Sequence, residues 1–214
     1  MVNLIPTKEE WIKALTERHG KELQQAFSSA TVAICGLGGL GSNIAVALAR
    51  AGVGKLILID FDMVDITNLH RQQYKANQIG VNKTDALAYN LCEIAPFTTV
   101  ETHNVRITEN NAKKLLENAD IICEAFDDAE AKAMLTNLVL EKMSDKFLVA
   151  ASGMAGLGSA NTIKTRKVMS RFYLCGDEES DVQSEGSLVS SRVMLCAAHQ
   201  AHTVLRILVG EFET

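Results

Sequence analysis

The sequence predicts an α/β fold: a doubly wound, mainly parallel sheet with a Rossmann-like nucleotide-binding βαβ unit, an N-terminal helical segment and a long C-terminal helix. Three observations predict it. Short apolar runs alternate with stretches of helical composition, a glycine-rich turn joins the first apolar run to a helix, and the chain has two prolines. Strands separated by helices favour parallel pairing with right-handed crossovers.

The N-terminal segment is expected to be helical. Thr7 and Glu10 have the spacing of a capping box, in which each side chain satisfies a backbone N–H group at the start of a helix. Trp11 and the later Leu23 and Phe27 then suit one helix face or a pair of helices.

The first βαβ unit surrounds the glycine-rich turn. A buried strand is predicted over 32–35, and a helix over 42–51, which has no proline and is rich in Ala, Leu and Val. The turn between them contains four glycines, Gly36, Gly38, Gly39 and Gly41. Gly36 permits a tight turn, Gly38 lets the backbone approach a ligand, and Gly41 lets helix and strand pack closely. The helix N-terminus can then face a phosphate.

The second strand of this unit ends in an acid, which strengthens the case for a nucleotide. Asp60 closes the apolar run 56–60, where a carboxylate can bind ribose hydroxyls, and Asp62 follows two residues later. The turn and the acid together do not choose between NAD, FAD and ATP. The glycines alone would also suit a tight strand-to-helix turn without a ligand.

The rest of the chain continues the alternation of strands and helices after a polar connection over 64–82. Helices are expected over 83–94, over 108–117 with Thr108 as N-cap, over 129–143 and over 188–209. Strands are expected over 98–105, 120–123, 147–151 and 160–165, the last of them after a turn marked by Gly153, Gly156 and Gly158. At 214 residues, a single domain over 1–214 is the expectation.

Composition excludes several classes of protein. Hydrophobic residues make up 47% and charged residues 22%, which excludes a largely disordered chain. The net charge of −5 argues against a nucleic-acid backbone as main partner. No apolar run reaches the roughly 18 residues of a spanning helix, and residues 1–10 lack a signal-peptide pattern. We therefore expect a cytoplasmic protein with no membrane or nucleic-acid partner.

The cysteines favour neither disulfides nor a structural metal. The five are Cys35, Cys92, Cys123, Cys175 and Cys196, and no two of them have CxxC spacing. Cys175 differs from the rest because it opens an acidic loop that runs to Gly186. We expect its thiol to be exposed.

Polar residues beyond Asp62 favour a triphosphate over NAD. Asn68, Arg71 and Gln72 lie in a loop that leaves the second strand over the nucleotide cleft, and they offer two amides and a guanidinium. Lys83 begins a helix, whose free N–H groups add to its charge. Asp127 follows a later strand at the same edge of the sheet and offers a carboxylate to Mg²⁺. Nucleotidyl transfer needs such a set of groups.

Each of these residues also has a purely structural interpretation. The loop that carries Arg71 could simply be solvated, Lys83 could be an ordinary cation at a helix start, and Asp127 could cap the helix near Ala129. Asp128 is better placed for that cap. His70 is interpreted as a packing or loop residue.

The order of four motifs, GLGGLGS, DFDMVDITNLHRQ, GVNK and AFDD, resembles the ThiF/MoeB/HesA family, whose members are ATP-dependent activators of ubiquitin-fold sulfur carriers. ASGMAGLGSANTIK and the closing ILVGE also look like that family, so the resemblance covers nearly the whole chain. It implies that ATP adenylates the C-terminal Gly-Gly carboxylate of a carrier protein and that pyrophosphate is released. By position it implies that Asp60 binds the ribose, that Asn68, Arg71, Gln72 and Lys83 bind the phosphates, and that Asp127 binds Mg²⁺ and pyrophosphate.

The resemblance also implies a homodimer, in which an arginine from the N-terminal region of one subunit reaches the other's site. Arg18 is the candidate, although Thr-Glu-Arg-His departs from the usual Arg-Tyr-x-Arg-Gln. Some relatives use a loop cysteine to form an acyl persulfide or disulfide, and Cys175 lies in a comparable region. The paired CxxC motifs that bind zinc in many members are absent, so no zinc is expected.

The short chain is similar to compact ThiF-like proteins that act on the thiamine sulfur carrier ThiS. The first expectation is therefore a ThiS adenylyltransferase of thiamine thiazole biosynthesis. Three alternatives stay open: activation of a MoaD-type carrier for molybdopterin, an NAD-dependent Rossmann oxidoreductase, and a non-catalytic subunit that only binds carriers.

Overall fold

A seven-stranded sheet with helices on both faces forms the architecture, as seen in a computed structural model that describes residues 5–214. Residues 1–4, which belong to the expected domain and to the segment inspected for a signal peptide, lie outside the described residues. The strands are β1 (Thr31–Cys35), β2 (Lys55–Asp60), β3 (Thr99–Asn104), β4 (Ile121–Glu124), β5 (Phe147–Ala151), β6 (Lys164–Met169) and β7 (Phe172–Gly176). The helices are α1 (Lys8–His19), α2 (Lys21–Ser29), α3 (Gly39–Arg50), α4 (Lys83–Ile94), α5 (Ala112–Leu116), α6 (Ala129–Lys142), α7 (Val182–Glu185) and α8 (Ser190–Leu208).

The strand order is β3-β2-β1-β4-β5-β7-β6, and every described pairing within the sheet is parallel except that of β6 with β7. The chain adds β2 and β3 on one side of β1, then crosses to add β4 and β5 on the other. The order therefore reverses at β1, which makes its carboxyl end the switch point where ligands bind in such sheets. The predicted doubly wound, mainly parallel sheet is confirmed.

The helices cover both faces because successive side chains of a strand point to opposite faces. On one face Ile34 packs in a cluster with Leu48 of α3 and Val204 of α8. On the other, Cys35 joins a cluster with Leu135 of α6. All five side chains are inaccessible to solvent, so β1 is the centre of two cores.

The N-terminal segment forms two helices, as predicted. Thr7 and Glu10 make the capping box: the Thr7 amide donates to the Glu10 carboxylate (2.8 Å), and the Glu10 amide donates to the Thr7 hydroxyl (3.2 Å). At the far end of the chain, α8 begins and ends within two residues of the predicted helix 188–209. None of the helices in residues 5–214 is long and apolar enough to cross a membrane.

Two elements differ from the prediction because side chains close local turns. The helix expected over 108–117 forms only as α5, since the side-chain oxygen of Asn111 accepts from the Thr108 amide (2.8 Å) and turns the chain first. The strand expected over 160–165 is a 3-10 turn at Ala160–Thr162 followed by β6. There the Thr162 hydroxyl donates to the Ser159 carbonyl (2.8 Å).

The expected loop around Cys175 is instead the strand β7, so the prediction of an exposed thiol is wrong. β7 lies between β5 and β6, and Cys175 pairs with Ala151 on one side and Thr165 on the other. Its side chain is fully buried. The acidic loop begins only after this strand.

Candidate active site

The glycine turn leaves β1 between the carboxyl ends of β2 and β4. The Gly36 amide donates to the Ile59 carbonyl of β2 (2.9 Å), and the Ala125 amide just past β4 donates to the Cys35 carbonyl (2.9 Å). The turn is therefore tied to both neighbouring strands. Residues that follow β2 and residues that follow β4 meet around it.

Two of the four glycines are required by close packing. A Cβ atom at Gly41 would lie 1.8 Å from the Gly36 carbonyl oxygen, so α3 can approach the turn only with glycine there. Gly36 has φ +90°, and a Cβ atom would lie 2.8 Å from the Ala125 oxygen. Gly39 packs against Val193 of α8. Gly38 has only the Gln72 amide within 4 Å of a built Cβ atom, which leaves its backbone accessible.

Asp60 holds the glycine turn in shape. One carboxylate oxygen accepts from the Leu37 amide (2.6 Å) and the other from the Asp62 amide (2.8 Å). The side chain is 8% exposed. Each carboxylate oxygen has a second lone pair, so Asp60 can also accept from ribose hydroxyls.

Lys83 lies buried at the first turn of α4 and forms an ion pair with Asp62. Its ammonium nitrogen is 2.7 Å from the Asp62 carboxylate, and its amide donates to the Asp62 carbonyl (2.9 Å). The Lys83 side chain is 7% exposed, whereas that of Asp62 is 49% exposed. The ammonium group is therefore fixed at the carboxyl edge of the sheet.

The loop after β2 brings Arg71 and Gln72 to the turn, and the Asn68 carbonyl accepts from the amides of both (3.2 and 3.1 Å). A Cβ atom built at Gly39 lies 3.5 Å from the aliphatic stem of Arg71, whose guanidinium donates to the Thr67 carbonyl (3.3 Å). Gln72 is 7% exposed, and its side-chain oxygen has no hydrogen-bond partner within residues 5–214. A buried acceptor of this kind usually receives a bond from a ligand or an ordered water.

A scaffold that the sequence analysis missed fixes this loop on α3. The Asn43 amide donates to the carbonyls of Gly39 (2.6 Å) and Arg71 (3.2 Å), and the Gln73 amide donates to Asn43 (2.6 Å). The Tyr74 hydroxyl donates to the Leu37 carbonyl (2.7 Å). The available signal was the polar Ser-Asn pair in an otherwise apolar helix start.

Arg106 is a second residue that the sequence analysis missed. It follows β3, and its guanidinium carbon lies 4.1 Å from the ring centroid of Phe61, which is close enough for a cation–π contact. This places a cation at the β2–β3 side of the same edge. No local sequence pattern indicates this pair, because Phe61 follows β2 and Arg106 follows β3.

Asp127 and Asp128 differ in role just after β4. Asp128 accepts from the Ala131 amide (2.8 Å) and caps α6, whereas Asp127 is exposed at the carboxyl edge. No group of three or more His, Cys, Asp or Glu side chains that could hold a metal ion occurs in residues 5–214. Mg²⁺ commonly binds one or two carboxylates together with substrate phosphates and water. Asp127 fits that arrangement.

Beneath Asp127, Glu124 forms a buried ion pair with Lys132. The Lys132 ammonium donates to both carboxylate oxygens (3.0 Å each) and to the Ala151 carbonyl (3.0 Å). The Glu124 carboxylate also accepts from the Phe126 amide (2.7 Å), which shapes the loop before Asp127. Burial raises the pKa of Glu124, and the attraction to Lys132 opposes that shift.

The structure does not bring Arg18 to this site. It is exposed near the end of α1, and the neighbouring His19 side chain contacts Gln24 (2.9 Å). Gln24 in turn donates to the carbonyl of Gly52, in the turn that enters β2 at the amino edge of the sheet (3.4 Å). Arg18 therefore lies at the edge opposite to the glycine turn.

The burial of Cys175 argues against a role in sulfur chemistry. The hydroxyls of Thr165 and Thr203 lie 3.5 and 3.9 Å from its sulfur, and burial raises its pKa to about 11. A buried neutral thiol is a poor nucleophile. Among the cysteines, which all fall within the described residues, only Cys92 is exposed.

Comparison with known proteins gives a family match over most of the chain. The model of the ThiF family matches residues 13–214. The adenylyltransferase and sulfurtransferase UBA4 of Lodderomyces elongisporus is 27% identical over 195 residues, which are 88% of this chain and 42% of that protein. The adenylyltransferase and sulfurtransferase MOCS3 of Dictyostelium discoideum is 30% identical over 162 residues, 68% of this chain and 38% of that protein. The chain thus spans less than half the length of these curated relatives.

Solved structures share the fold. The E. coli tRNA N6-threonylcarbamoyladenosine dehydratase TcdA in complex with AMP superposes with a TM-score of 0.85 at 20% identity, over 97% of this chain and 99% of that one. E. coli MccB with ATP gives a TM-score of 0.70 at 21% identity, over 90% of this chain and 59% of that one. At such identities the likeness concerns the fold.

Proposed function

Because the chain belongs to the ThiF family, we propose that it is an adenylyltransferase that uses ATP to activate the C-terminal carboxylate of a carrier protein. Residues 1–214 act as one adenylation domain in this proposal. The observation that carries it is the convergence of Arg71, Gln72, Lys83 and Asp127 around one glycine turn. The curated relatives named as adenylyltransferases support it.

In the proposed reaction a carrier carboxylate oxygen attacks the α-phosphorus of ATP. A new P–O bond forms, the bond to the β-phosphate oxygen breaks, and pyrophosphate leaves with the electron pair. Asp60 orients the ribose and the Gly38 backbone admits the α-phosphate. Arg71 and Lys83 offset the charge that develops on the phosphates. Asp127 would hold Mg²⁺, which would supply charge neutralisation for the pyrophosphate.

The proposed carrier has a ubiquitin fold and ends in Gly-Gly, as the motif order suggests. We propose a carrier of the ThiS type, and a MoaD-type carrier is the first alternative. An NAD-dependent oxidoreductase would leave Arg71, Lys83 and Asp127 without a function. A subunit that only binds carriers would have no use for the buried, unpaired Gln72 acceptor. The net charge of −5 weighs against a tRNA substrate like that of TcdA. We propose that the protein acts in the cytoplasm.

ATP–pyrophosphate exchange tests the proposal. Purified ThiS-type and MoaD-type carriers ending in Gly-Gly are assayed in parallel, each with a carrier lacking the two glycines as control. We expect exchange with the ThiS-type carrier, and a loss of about 100-fold or more in Arg71→Ala and Asp127→Ala. Asp128→Ala is the matched control: it removes the α6 cap, so it should lower stability by about 1 kcal/mol yet retain exchange. Absence of exchange with every carrier would refute the function.

The homodimer and the role of Arg18 have a separate test. We propose that Arg18 of one subunit enters the site of the other, where Arg71 contacts the phosphates. Arg18→Ala and Arg71→Ala homodimers should then be inactive. Mixing them should restore about a quarter of wild-type exchange, because half the dimers carry one intact site. Light scattering establishes the oligomeric state, and a fully active Arg18→Ala protein would exclude the role.

A further inference from the structure

Arg192, on the first turn of α8, is buried in a loop network that the proposed reaction does not explain. It is 6% exposed. A guanidinium has five N–H donors, and here each of them meets an acceptor. The acceptors are the carbonyls of Ala155 (3.0 Å), Gly158 (2.8 Å) and Ser159 (2.8 Å), the Thr162 hydroxyl (3.1 Å) and the Asp177 carboxylate (2.5 Å).

These acceptors belong to two segments that leave adjacent strands at the carboxyl edge of the sheet. The segment 155–162 follows β5, and Asp177 follows β7. Asp177 also accepts from the amides of Glu179 (3.0 Å) and Ser180 (2.9 Å), while the Ser180 hydroxyl accepts from the Ala155 amide (3.0 Å). The two segments are therefore joined to each other as well as to α8.

Glycines within and just before the first segment fit this network closely. Gly153 has φ +77°, and a Cβ atom there would lie 2.0 Å from the Asp177 carboxylate. A Cβ atom at Gly158 would lie 3.2 Å from the Arg192 guanidinium. The turn that the sequence marks with glycines thus forms around the Arg192–Asp177 pair.

The start of α8 also contacts the nucleotide side of the site. Val193 lies 2.8 Å from a Cβ atom built at Gly39, so it packs on the glycine turn. The His70 ring donates to the Leu188 carbonyl (3.1 Å), next to Arg71. The segment 187–193 therefore has the glycine turn on one side and the Arg192 network on the other, where the Gly156 amide donates to the Ser187 carbonyl (3.0 Å).

The network holds one apolar side chain out into solvent. Leu157 is 82% exposed, and it sits between Ala155 and Gly158, whose carbonyls are both fixed by Arg192. An exposed leucine is ordinary by itself, but this one is held on a fixed backbone, so it offers an apolar contact at a set position on the carboxyl edge of the sheet. Without the bonds from Arg192 to the neighbouring carbonyls, the backbone that carries Leu157 would not be held in one place.

We propose that Arg192 is a positioning residue that fixes the segments 155–162 and 177–180 as a wall of the passage along which the carrier tail reaches the nucleotide, and that Leu157 contacts the carrier. The proposal rests on the proposed function. The planar guanidinium of Arg192 is needed for this network, because lysine offers a single ammonium in place of five donors in fixed directions. Changes in this wall should therefore alter the KM for the carrier and leave the affinity for ATP unchanged.

Steady-state adenylation with a ThiS-type carrier ending in Gly-Gly separates these effects. We expect Leu157→Ala to raise the KM for the carrier about fivefold and Arg192→Met to raise it about tenfold or more. Arg192→Lys should resemble Arg192→Met, and the Kd for ATP measured calorimetrically should stay within about twofold of wild type in all three. Arg50→Met, which removes an exposed arginine at the end of α3, is the matched control.

Two further variants distinguish a loss of the wall from a failure to fold. Leu157 is exposed, so its replacement tests the wall even where Arg192→Met does not fold, and Asp177→Asn removes one charge from the network with little change in shape. An unchanged carrier KM in Leu157→Ala, or a loss of ATP affinity equal to the loss of carrier affinity in folded Arg192 variants, would overturn the proposal. Wild-type protein without any exchange would instead refute the proposed function.

Discussion

Replacing Lys132 by methionine should destabilise the protein by an amount that depends on pH. The substitution removes the cation from Glu124, whose side chain is 2% exposed. Burial already raises the pKa of Glu124 above its ordinary value of 4.5, and without Lys132 the carboxylate is expected to take up a proton. The folded variant then holds one more proton than the unfolded chain at neutral pH.

The magnitude follows from the free energy of that protonation. Because each pKa unit corresponds to about 1.36 kcal/mol, protonating a group of ordinary pKa 4.5 costs up to about 3.4 kcal/mol at pH 7 and less than about 1 kcal/mol at pH 5. Stability of the variant should therefore fall, relative to wild type, as the pH rises above 4.5. The lost bond to the Ala151 carbonyl adds about 1 kcal/mol at both pH values.

Urea unfolding followed by circular dichroism at pH 5 and pH 7 measures the effect. The difference in unfolding free energy between wild type and Lys132→Met should grow with pH. Lys142→Met, which removes an exposed lysine from the same helix, should stay within about 0.5 kcal/mol of wild type. In the double variant Glu124→Gln/Lys132→Met, position 124 takes up no proton on folding. The difference in unfolding free energy between wild type and this double variant should therefore not vary with pH. Equal destabilisation by Lys132→Met at both pH values would refute the reasoning.

Two further predictions concern the turn and the thiols. Gly41→Ala forces the Gly36 carbonyl to move and should lower the unfolding free energy by about 1–3 kcal/mol, whereas Gly38→Ala should keep thermal stability and weaken ATP binding; equal melting temperatures in both would contradict this. Iodoacetamide at pH 7 should modify Cys92 in the native protein and leave Cys175 unmodified, because burial raises the Cys175 pKa to about 11. Peptide mass spectrometry measures the modification of each of these two cysteines. Rapid labelling of Cys175 in the native protein would contradict its burial.

The sequence predicts best what local patterns determine. The helix over 83–94 forms with those bounds, since a polar connection precedes it and Pro96 follows its end. The turn between β1 and α3 lies where its glycines indicate, although the helix begins at Gly39 instead of Ser42. Short-range spacing decides both features.

Pairing between distant segments decides the features that the sequence did not predict. From local sequence, Tyr173-Leu174-Cys175-Gly176 is interpreted as the start of a loop. In the structure it is a strand, because it pairs with β5 on one side and β6 on the other. The acids of 124–128 look alike in sequence, yet one is buried against Lys132, one is exposed and one caps a helix. The network around Arg192 has the same origin, because its acceptors come from two separate loops.

Charge balance indicates that the candidate site requires more than its own cations. Of the residues predicted to contact the phosphates, Asn68, Arg71, Gln72 and Lys83, only Arg71 and Lys83 are cations, and Lys83 already neutralises Asp62 at 2.7 Å. A triphosphate that takes over the Lys83 ammonium leaves the Asp62 carboxylate, 49% exposed, to solvent and adds several negative charges. The Arg71 guanidinium, even together with Arg106 at the same edge, cannot offset them in a partly buried cleft. Mg²⁺ at Asp127 and a cation from a second subunit, for which Arg18 is the candidate, would supply the difference, so catalysis is expected to depend on assembly as well as on the fold.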